Sequence, residues 1–342
     1  MKAMMLVDKK KLELTDILDP SPGSRDLLVR VKACGICGSD VHGFDGSTGR
    51  RIPPIVMGHE AAGEIIAMGS EVTGFRIGQP ITFDSTVYCG TCDFCRAGKV
   101  NLCDRRQVLG VSCGDYRRHG CFAEMVAIPQ HIAYVLPDGL SYENAAMVEA
   151  VSVAVHAVSR ASVEGEDVLV VGAGMIGQLT IQALRASNCG KLIAVDIDEG
   201  RLGRALKVGA GHALNAERPD LVPAIQHLTG GHGAAVVFDA VGSQASVTTA
   251  IASARKGAQV VLIGNIAPKV EIALQAVVTR ELSLLGTCAS AGEYPQCLEW
   301  MVAGKIDVKP LISAVAPLDE GPKWFDRLYN REAGLMKVIL KP

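Results

Sequence analysis

The segment VLVVGAGMIG, residues 168–177, predicts a buried strand, a tight turn and the start of a helix in direct succession. The apolar run 167–171 has the length of a buried strand, and the pattern over 176–187 is that of a helix. Glycine-rich turns between a strand and a helix are common in α/β proteins. The meaning of this one therefore depends on what its glycines allow and on the residues that come after them.

The turn has the spacing G-x-G-x-x-G, in which each glycine suits a separate task. Gly172 permits the tight turn, Gly174 lets backbone approach a pyrophosphate, and Gly177 allows the helix to pack closely on the strand. The unsatisfied N–H groups that open the helix, from Met175 and Ile176 onward, would bind the phosphates. The turn therefore predicts a dinucleotide site.

An acidic residue discriminates between the two nicotinamide dinucleotides. Asp196 ends the next predicted strand, where its carboxylate can accept from the adenosine ribose 2′-hydroxyl and would repel a 2′-phosphate. This favours NAD over NADP. Arg201 lies nearby and could weaken the preference, although the solvated face of a helix is the simpler interpretation of its position.

Strands and helices alternate from about residue 166, which predicts βαβ units and a parallel sheet. Before about residue 155 the periodicity is short and strand-like. The predicted strands are 1–7, 26–33, 64–68, 80–83, 122–128, 167–171, 191–196, 234–239, 259–263, 282–286 and 337–340, and the predicted helices are 176–187, 199–208, 246–254 and 295–303. With 342 residues, the chain is expected to be an α/β protein of two domains.

Composition and charge exclude several classes of function. The formal net charge of −2 gives no electrostatic footprint for nucleic acid or an anionic membrane. No run of about 18 apolar residues predicts a membrane helix, and the alternating start, residues 1–14, contains no signal-peptide core. Eleven cysteines without an export signal favour metal ligation in a reducing compartment, so we expect a cytoplasmic protein.

Four cysteines form the most specific pattern in the chain. Cys89, Cys92, Cys95 and Cys103 have the spacing C-x2-C-x2-C-x7-C, and four thiolates this close must share a cation. Such a set binds a structural Zn²⁺ with no open coordination position. A zinc-ribbon binding module in a non-enzymatic protein is the alternative, and the near-neutral charge and the dinucleotide turn count against it.

A second, sparser set has the mixed ligands of an open zinc site. Cys37 is followed by His59 and Glu60, and three protein ligands would leave one position for an alcohol oxygen. Spacing alone leaves Cys34 as an alternative to Cys37. A histidine such as His59 would, taken alone, more often be a packed residue than a ligand.

The segments CGICGSDVH at 34–42 and GHE at 58–60, the four cysteines and the glycine turn together resemble the zinc-dependent medium-chain dehydrogenases. The resemblance covers essentially the whole chain. It is closest to the polyol branch, which contains sorbitol (L-iditol) dehydrogenase and its sugar-alcohol and threonine-dehydrogenase relatives.

This resemblance implies the architecture of the two domains. A β-rich GroES-like catalytic domain would comprise residues 1–155 and 291–342, with a structural zinc lobe at about 89–103. A Rossmann domain with a doubly wound parallel sheet, residues 156–290, would bind NAD. The insertion of the second domain into the first explains why the end of the chain abandons the βαβ pattern.

The same resemblance implies roles around a catalytic zinc. The second cysteine of the family motif is the ligand, hence Cys37, followed by His59 and by Glu60 as a ligand or exchangeable neighbour. In the polyol branch a further glutamate lies in an E-P-[LIF]-[SA] motif, which puts Glu149 on the zinc directly or through water. Here Ala150 replaces the expected proline, which puts the local backbone and the substrate fit in doubt.

The segment before F-A-E also departs from the family pattern. Relatives usually read D-G-G-F-A-E, whereas residues 118–124 read RHGCFAE. The unusual loop 112–121 could shape the substrate pocket. Arg117 and Arg118 are more simply interpreted as solvated loop residues.

A proton path and a cofactor contact are also implied by the resemblance. Ser39 matches the family's relay hydroxyl and His42 its surface imidazole, a group that exchanges protons near neutral pH. Asp40 would orient His59. Lys337 occupies the position where relatives hold the cofactor pyrophosphate with a basic residue.

The implied reaction transfers hydride from a secondary hydroxyl of a sugar alcohol or other polyol to NAD, giving a ketone. L-Threonine, a sugar-alcohol phosphate of the galactitol 1-phosphate type and a sugar acid of the galactonate type are alternative substrates. Pocket residues in this family come from dispersed loops, here with Phe44 and Thr48. One catalytic and one structural Zn²⁺ per chain, a homodimer or homotetramer, and no nucleic-acid or membrane partner complete the expectation.

Overall fold

The computed structural model describes residues 1–113 and 116–342. Within them the chain forms two compact units. The first unit contains Met1–Ala150, Ser290–Val302 and Val308–Pro342, and the second contains Val151–Ala289 and Ala303–Asp307. The sequence-based interpretation put the transitions between domains after residues 155 and 290.

Short strands dominate the first unit, and helices alternate with strands in the second. The strands are β1 (Lys2–Asp8), β2 (Lys11–Asp16), β3 (Asp26–Gly35), β4 (Ile55–Val56), β5 (Glu60–Met68), β6 (Pro80–Phe83), β7 (Thr86–Val87), β8 (Gln107–Val108), β9 (Val111–Cys113), β10 (Tyr116–Arg118), β11 (Met125–Pro129), β12 (Ala133–Val135), β13 (Val168–Val171), β14 (Leu192–Asp196), β15 (His212–Asn215), β16 (Ala234–Asp239), β17 (Ala254–Leu262), β18 (Ser283–Gly286), β19 (Ile312–Pro317) and β20 (Lys337–Lys341). The α-helices are α1 (Gly38–Gly43), α2 (Asp93–Arg96), α3 (Tyr142–Ala145), α4 (Val148–Ser159), α5 (Met175–Ala186), α6 (Glu199–Lys207), α7 (Leu221–Leu228), α8 (Gln244–Ser253), α9 (Leu274–Thr279), α10 (Tyr294–Val302) and α11 (Gly321–Tyr329). Single 3-10 turns lie at Val100–Leu102, Gln130–Ile132, Lys309–Leu311 and Leu318–Glu320.

The first unit is built on a seven-stranded sheet in the order β12-β6-β5-β3-β20-β19, with β11 also paired to β3. Alternating residues of β3 are buried, as expected for a strand with one face on a core. β3 pairs antiparallel with β5, and its last residues pair with β20 at Leu340↔Cys34 and Ile339↔Gly35. Because β20 is the last strand of the chain, the sheet brings C-terminal residues to the end of β3.

An aromatic cluster closes the core of the first unit. Phe325 of α11 lies 5.6 Å from Phe44 and 5.7 Å from Phe122, measured between ring centroids. Phe44 is only 3% exposed. The Phe44 ring packs in this core, and its role in shaping a substrate pocket stays a prediction.

The second unit contains a six-stranded parallel sheet in the order β15-β14-β13-β16-β17-β18. β13, β14 and β16 are buried along their whole length, which is why they appear in the sequence as unbroken apolar runs. The strand order reverses direction between β13 and β16. In open sheets of this kind, ligands bind at the carboxyl ends of the strands beside such a reversal.

Several elements are not predicted from the sequence. β15 is a four-residue, half-exposed edge strand, and α7 carries a proline in its first turn, so neither has a clear apolar period. α4 is largely apolar, and only a narrow stripe of polar residues marks its helical period. Within the described residues, no helix has the length and apolar character needed to cross a membrane.

Candidate functional site

The pairing of β3 with β5 brings three potential metal ligands together. Cys37 is the N-cap of α1, directly after β3. His59 precedes Glu60, which opens β5 and pairs with Gly35. One ligand atom from each of Cys37, His59 and Glu60 lies within 4.8 Å of the other two. Cys34, the alternative ligand, is fully buried and is not part of this group.

Two glycines provide the space that this arrangement needs. A Cβ on Gly35 would overlap Glu60 Oε2, and a Cβ on Gly58 would lie 2.9 Å from Cys34 Sγ and from the Phe122 ring. Gly58 also has a φ of +88°, which other residues rarely adopt. Gly35 and Gly58 are therefore explained by packing around the site.

A buried lysine neutralises one of the carboxylates. Lys337 is 2% exposed, and its Nζ donates to Glu60 Oε2 at 2.5 Å and to the Ile36 carbonyl at 3.1 Å. Burial lowers the pKa of Lys337, but attraction to Glu60 and Cys37 outweighs this, so the pKa is raised. Pairing of β20 with β3 directs the ammonium group of Lys337 to Glu60, and its contact with the cofactor pyrophosphate stays a prediction.

A second buried carboxylate faces the imidazole of His59. Asp40 is fully buried, and its Oδ2 lies 3.4 Å from His59 Nδ1. Neither atom makes a well-aligned hydrogen bond. Burial lowers the pKa of His59, yet the charges of Asp40 and Cys37 raise it well above its usual value. With Nδ1 facing Asp40, Nε2 is the ring nitrogen available to a metal ion.

A buried arginine binds the same carboxylate, although nothing in the sequence singles it out. Arg51 is 5% exposed, and its Nε and Nη2 donate to Asp40 Oδ1 at 3.1 and 2.8 Å. Burial opposes ionisation of Asp40, but His59 and Arg51 lower its pKa. The only available signal was the need of a buried aspartate for a counter-charge.

Glu149 lies near these residues without joining the three-ligand group. It occupies the first turn of α4. Burial raises the pKa of Glu149 to about 7, while His59 opposes the rise and Glu60 adds to it. Its carboxyl group is thus within electrostatic reach of both residues. Ala150, which is buried, continues the helix at the position where the family pattern predicts proline.

The two residues predicted as a proton relay share the short helix α1. Ser39 and His42 are three positions apart, so they lie on the same side of the helix, and both are exposed. Ser39 Oγ accepts from Arg51 Nη2 at 3.3 Å. The His42 carbonyl accepts from Ser47 Oγ at 3.0 Å, and the His42 side chain is exposed.

The four-cysteine lobe brings its thiols together around α2. Cys95 Sγ lies 3.9 Å from Cys89 Sγ and 3.5 Å from Cys92 Sγ. Cys103 Sγ accepts from the backbone N–H of Cys89 at 3.3 Å. All four ligand atoms lie within 4.8 Å of one another.

The ionisation of these thiols fits a bound cation. Backbone N–H groups of Thr91 and Cys92 lower the pKa of Cys89 to about 5. Burial, with the neighbouring thiol of Cys92, raises the pKa of Cys95 to about 12. The protein alone therefore does not hold four thiolates at neutral pH, whereas a Zn²⁺ ion shared by all four sulfurs would.

The glycine turn has the geometry expected for a dinucleotide site. Gly172 has a φ of +92°, and a Cβ on Gly177 would overlap the Gly172 carbonyl. Gly174 is the N-cap of α5, and the space where its Cβ would stand is open. Met175 and Ile176 come next as half-exposed residues of the first helical turn. These residues fit a phosphate at the helix N-terminus.

Asp196 lies beside this turn at the end of β14. It is 7% exposed, its Oδ2 accepts from the N–H of Ala173 at 2.6 Å, and its Oδ1 accepts from the N–H of Asp198 at 2.9 Å. Arg201 Nη1 lies 3.9 Å from Asp196 Oδ2, and the Arg201 side chain is 44% exposed. Arg201 is thus close enough to contact a ligand group that binds to Asp196.

The hairpin of β9 and β10 carries the departure from the family pattern. Arg117 is exposed and donates to two backbone carbonyls. Arg118 is half-buried, donates to Gln107 Oε1 at 3.3 Å, and has its pKa lowered by burial. The interpretation as solvated residues therefore holds for Arg117 only. Of the predicted pocket loop 112–121, residues 114–115 lie outside the described residues.

Comparisons with known proteins agree with these features. Residues 23–138 match the family model of the alcohol dehydrogenase GroES-like domain, and residues 176–303 match that of the zinc-binding dehydrogenases. The chain is 31% identical to the sorbitol dehydrogenase of Bacillus subtilis over 100% of its own length and 97% of the relative's. It is 36% identical to the L-idonate 5-dehydrogenase of Vitis vinifera over 91% of this chain and 86% of that one.

A solved structure extends the match to the whole fold. A protein of Sinorhizobium meliloti, described as a zinc-binding dehydrogenase and bound to NADP, is 32% identical with a TM-score of 0.91. The match covers 100% of this chain and 99% of that chain. The predicted family and fold class are confirmed. The chain belongs to the zinc-dependent medium-chain alcohol dehydrogenases, oxidoreductases that combine a GroES-like domain with a Rossmann-type domain.

Proposed function

We propose that this protein oxidises a secondary hydroxyl of a sugar alcohol or related polyol to a ketone, with NAD as the hydride acceptor. The observation that carries the proposal is the mixed group of Cys37, His59 and Glu60, whose ligand atoms lie within 4.8 Å of one another. A three-residue group of this kind suits a catalytic zinc with one position open to substrate. The all-cysteine lobe at 89–103 suits a structural zinc.

Cys37, His59 and Glu60 would hold a zinc ion, with Glu149 as a further ligand directly or through water. When bound, zinc would supply Lewis acidity that lowers the pKa of an alcohol, and nicotinamide would supply the hydride acceptor. The chain's own residues set the charge around this centre. Lys337 places a positive charge against Glu60. The negative charge of the carboxylate that would bind the metal is therefore compensated by the ammonium group of Lys337.

We assign the transfer of the alcohol proton to solvent to the side chains of Ser39 and His42. Arg51 donates to Ser39 Oγ, and a guanidinium group can only donate. The hydroxyl proton of Ser39 is therefore free to be donated to another partner. The exposed imidazole of His42, on the same side of α1, can then pass the proton to solvent.

The substrate class is supported by relatives named for polyols and for a sugar acid. One is a sorbitol dehydrogenase and another an L-idonate 5-dehydrogenase. A neutral polyol is the first candidate because the sorbitol dehydrogenase matches the chain over its whole length. A sugar acid is the second candidate because of the L-idonate enzyme. L-Threonine and a sugar-alcohol phosphate are alternatives that rest on the sequence resemblance.

Cofactor preference is assigned to Asp196. Its carboxylate is fixed by the N–H groups of Ala173 and Asp198 at the carboxyl end of β14, where it favours a ribose hydroxyl over a phosphate. The NADP-bound relative and the nearby Arg201 favour the opposite choice. We propose NAD because the acidic group is the one held in a fixed position.

We further propose a cytoplasmic homodimer or homotetramer, with residues 1–155 and 291–342 as the catalytic domain and 156–290 as the NAD-binding domain. Thiols used as metal ligands suit a reducing compartment. In the second unit, β18 is an edge strand, and Leu274 and Val278 of the adjacent helix α9 are 63% and 65% exposed. Such apolar exposure suits contact between subunits, which light scattering of the purified protein would test.

The substrate proposal is tested by measuring NADH formation with zinc-replete protein across alditols, sugar acids, L-threonine and sugar-alcohol phosphates. We expect the highest kcat/KM with an alditol. Preference for a sugar acid would support the second candidate. Turnover with L-threonine or a phosphorylated substrate alone would contradict the polyol assignment and leave the mechanism in place.

A further inference from the structure

We propose that Arg51 is a positioning residue of the metal centre: one buried guanidinium fixes both the carboxylate that faces His59 and the hydroxyl of Ser39. The inference rests on the proposed catalytic zinc. It concerns a residue outside the group of three metal ligands. Its effect would pass through Asp40 and Ser39.

The contacts of Arg51 divide the two oxygens of Asp40 between two tasks. Nε and Nη2 of Arg51 both donate to Oδ1, at 3.1 and 2.8 Å. Oδ2 is the oxygen that lies 3.4 Å from His59 Nδ1. Because two neighbouring nitrogens of one guanidinium both hold Oδ1, Oδ2 is the oxygen left directed at the imidazole.

The same guanidinium reaches the hydroxyl of Ser39. Nη2 donates to Ser39 Oγ at 3.3 Å while it also donates to Asp40. Nε and Nη2 together make three contacts from one rigid planar group, whereas a lysine ammonium would have to make them from a single nitrogen atom. The position therefore requires arginine for its geometry as well as for its charge.

The backbone on either side holds Arg51 in this position. The N–H of Arg50 donates to Thr48 Oγ1 at 3.3 Å, and the N–H of Ile52 donates to Ser112 Oγ at 2.8 Å. The stem of Arg51 passes directly over Gly43, where a Cβ would overlap Arg51 Cγ. The last turn of α1 thus lacks a side chain at the point where the arginine crosses it.

Burial makes this contact necessary rather than incidental. Asp40 is 0% exposed and Arg51 is 5% exposed, so each charge would be costly to bury without the other. Arg50, which directly precedes Arg51, is exposed. It provides a matched control that removes the same charge from the same segment.

The test compares Arg51→Gln, Arg51→Lys and Arg50→Gln as zinc-loaded proteins. The readout is the rate at which a chelator removes each of the two zinc ions, with the four-cysteine lobe as internal reference.

Mutation of residues that orient metal ligands typically changes metal affinity or activity by about 10- to 100-fold. We expect release of the catalytic zinc to accelerate by that order in both Arg51 variants and to remain unchanged from the lobe. We expect kcat to fall more than KM rises, and Arg50→Gln to match the wild type.

The two possible failures are distinguishable. If both Arg51 variants release the catalytic zinc as slowly as Arg50→Gln, the positioning role is wrong, whatever the substrate proves to be. If Arg51→Gln does not fold, Arg51→Lys keeps a buried cation and decides the question by the same measurement. A wild-type protein that oxidises no substrate would contradict the proposed function, while zinc release would still decide the role of Arg51.

Discussion

Two lysines of β20 form ion pairs in opposite environments, and they allow a test at the scale of single residues. Lys337 and Glu60 are both almost fully buried, whereas Lys341 pairs with Glu143 at 2.9 Å with its side chain 52% exposed. Removing one partner of a buried pair typically costs about 3–5 kcal/mol because the other charge stays behind. We expect Lys337→Met to lower the melting temperature strongly.

The exposed pair is the control. Lys341→Met removes the same charge from the same strand, and exposed pairs contribute little. Thermal denaturation of both variants at one protein concentration makes the comparison. Equal melting temperatures for the two variants would mean that Lys337 does not stabilise the buried carboxylate.

Cofactor preference is a second single-residue question. Replacement of Asp196 by alanine removes the charge that would repel a 2′-phosphate, and Arg201 remains 44% exposed beside it. We expect the ratio of kcat/KM for NADP to that for NAD to rise on the order of tenfold, equivalent to about 1.4 kcal/mol. Asp198→Ala, which removes a neighbouring acid, should leave the ratio unchanged. An unchanged ratio in Asp196→Ala would remove the role of that carboxylate.

At the scale of elements, the four-cysteine lobe should behave as a separate stabilising device. Its ligand atoms are all sulfurs within 4.8 Å of one another, which leaves no position for substrate. We expect Cys95→Ala to bind one zinc per chain instead of two and to melt at a lower temperature, while the remaining zinc supports turnover. Cys189→Ala, a buried cysteine of the second unit, should keep two. Two zinc ions in Cys95→Ala would contradict the assignment.

Asp84, which directly follows β6, has a carboxylate that should make the stability of the fold depend on pH. Asp84 is 4% exposed. Burial raises its pKa to about 6, although bonds from Thr86 and Ser290 oppose the rise. Because the folded pKa lies above the unfolded value of about 3.9, the stabilising contribution is complete below pH 4 and is lost as pH rises through about 6.

Asp84→Asn should remove this loss. Between pH 5 and pH 8 the wild type loses about 1–1.5 kcal/mol from this group, so the variant should gain relative stability by that amount at the higher pH. Denaturation curves at both pH values provide the measurement, with exposed Asp138→Asn as the control. A difference between variant and wild type that is the same at pH 5 and pH 8 would contradict the buried, titrating carboxylate.

At the scale of the whole molecule, the sequence predicts those features whose chemistry is local. The glycines at 172–177 and the four-cysteine spacing are constrained by what a turn or a metal needs, so the fold class and family can be inferred from them. The pairing of Lys337 with Glu60 and the role of Arg51 could not be identified in this way. Lys337 reaches Glu60 only because the last strand pairs with β3, and Arg51 reaches Asp40 through the course of a loop.

The most direct test of the central claim is the effect of the three-residue metal site on turnover. His59→Ala and wild-type protein, each with and without chelator treatment, would be compared for NADH formation with the best substrate and for NAD binding. We predict that His59→Ala and zinc-depleted wild type both lose turnover, still bind NAD, and that only the wild type recovers with added Zn²⁺. Turnover retained in His59→Ala, or in wild type stripped of zinc, would contradict the assignment of Cys37, His59 and Glu60 as the catalytic metal site.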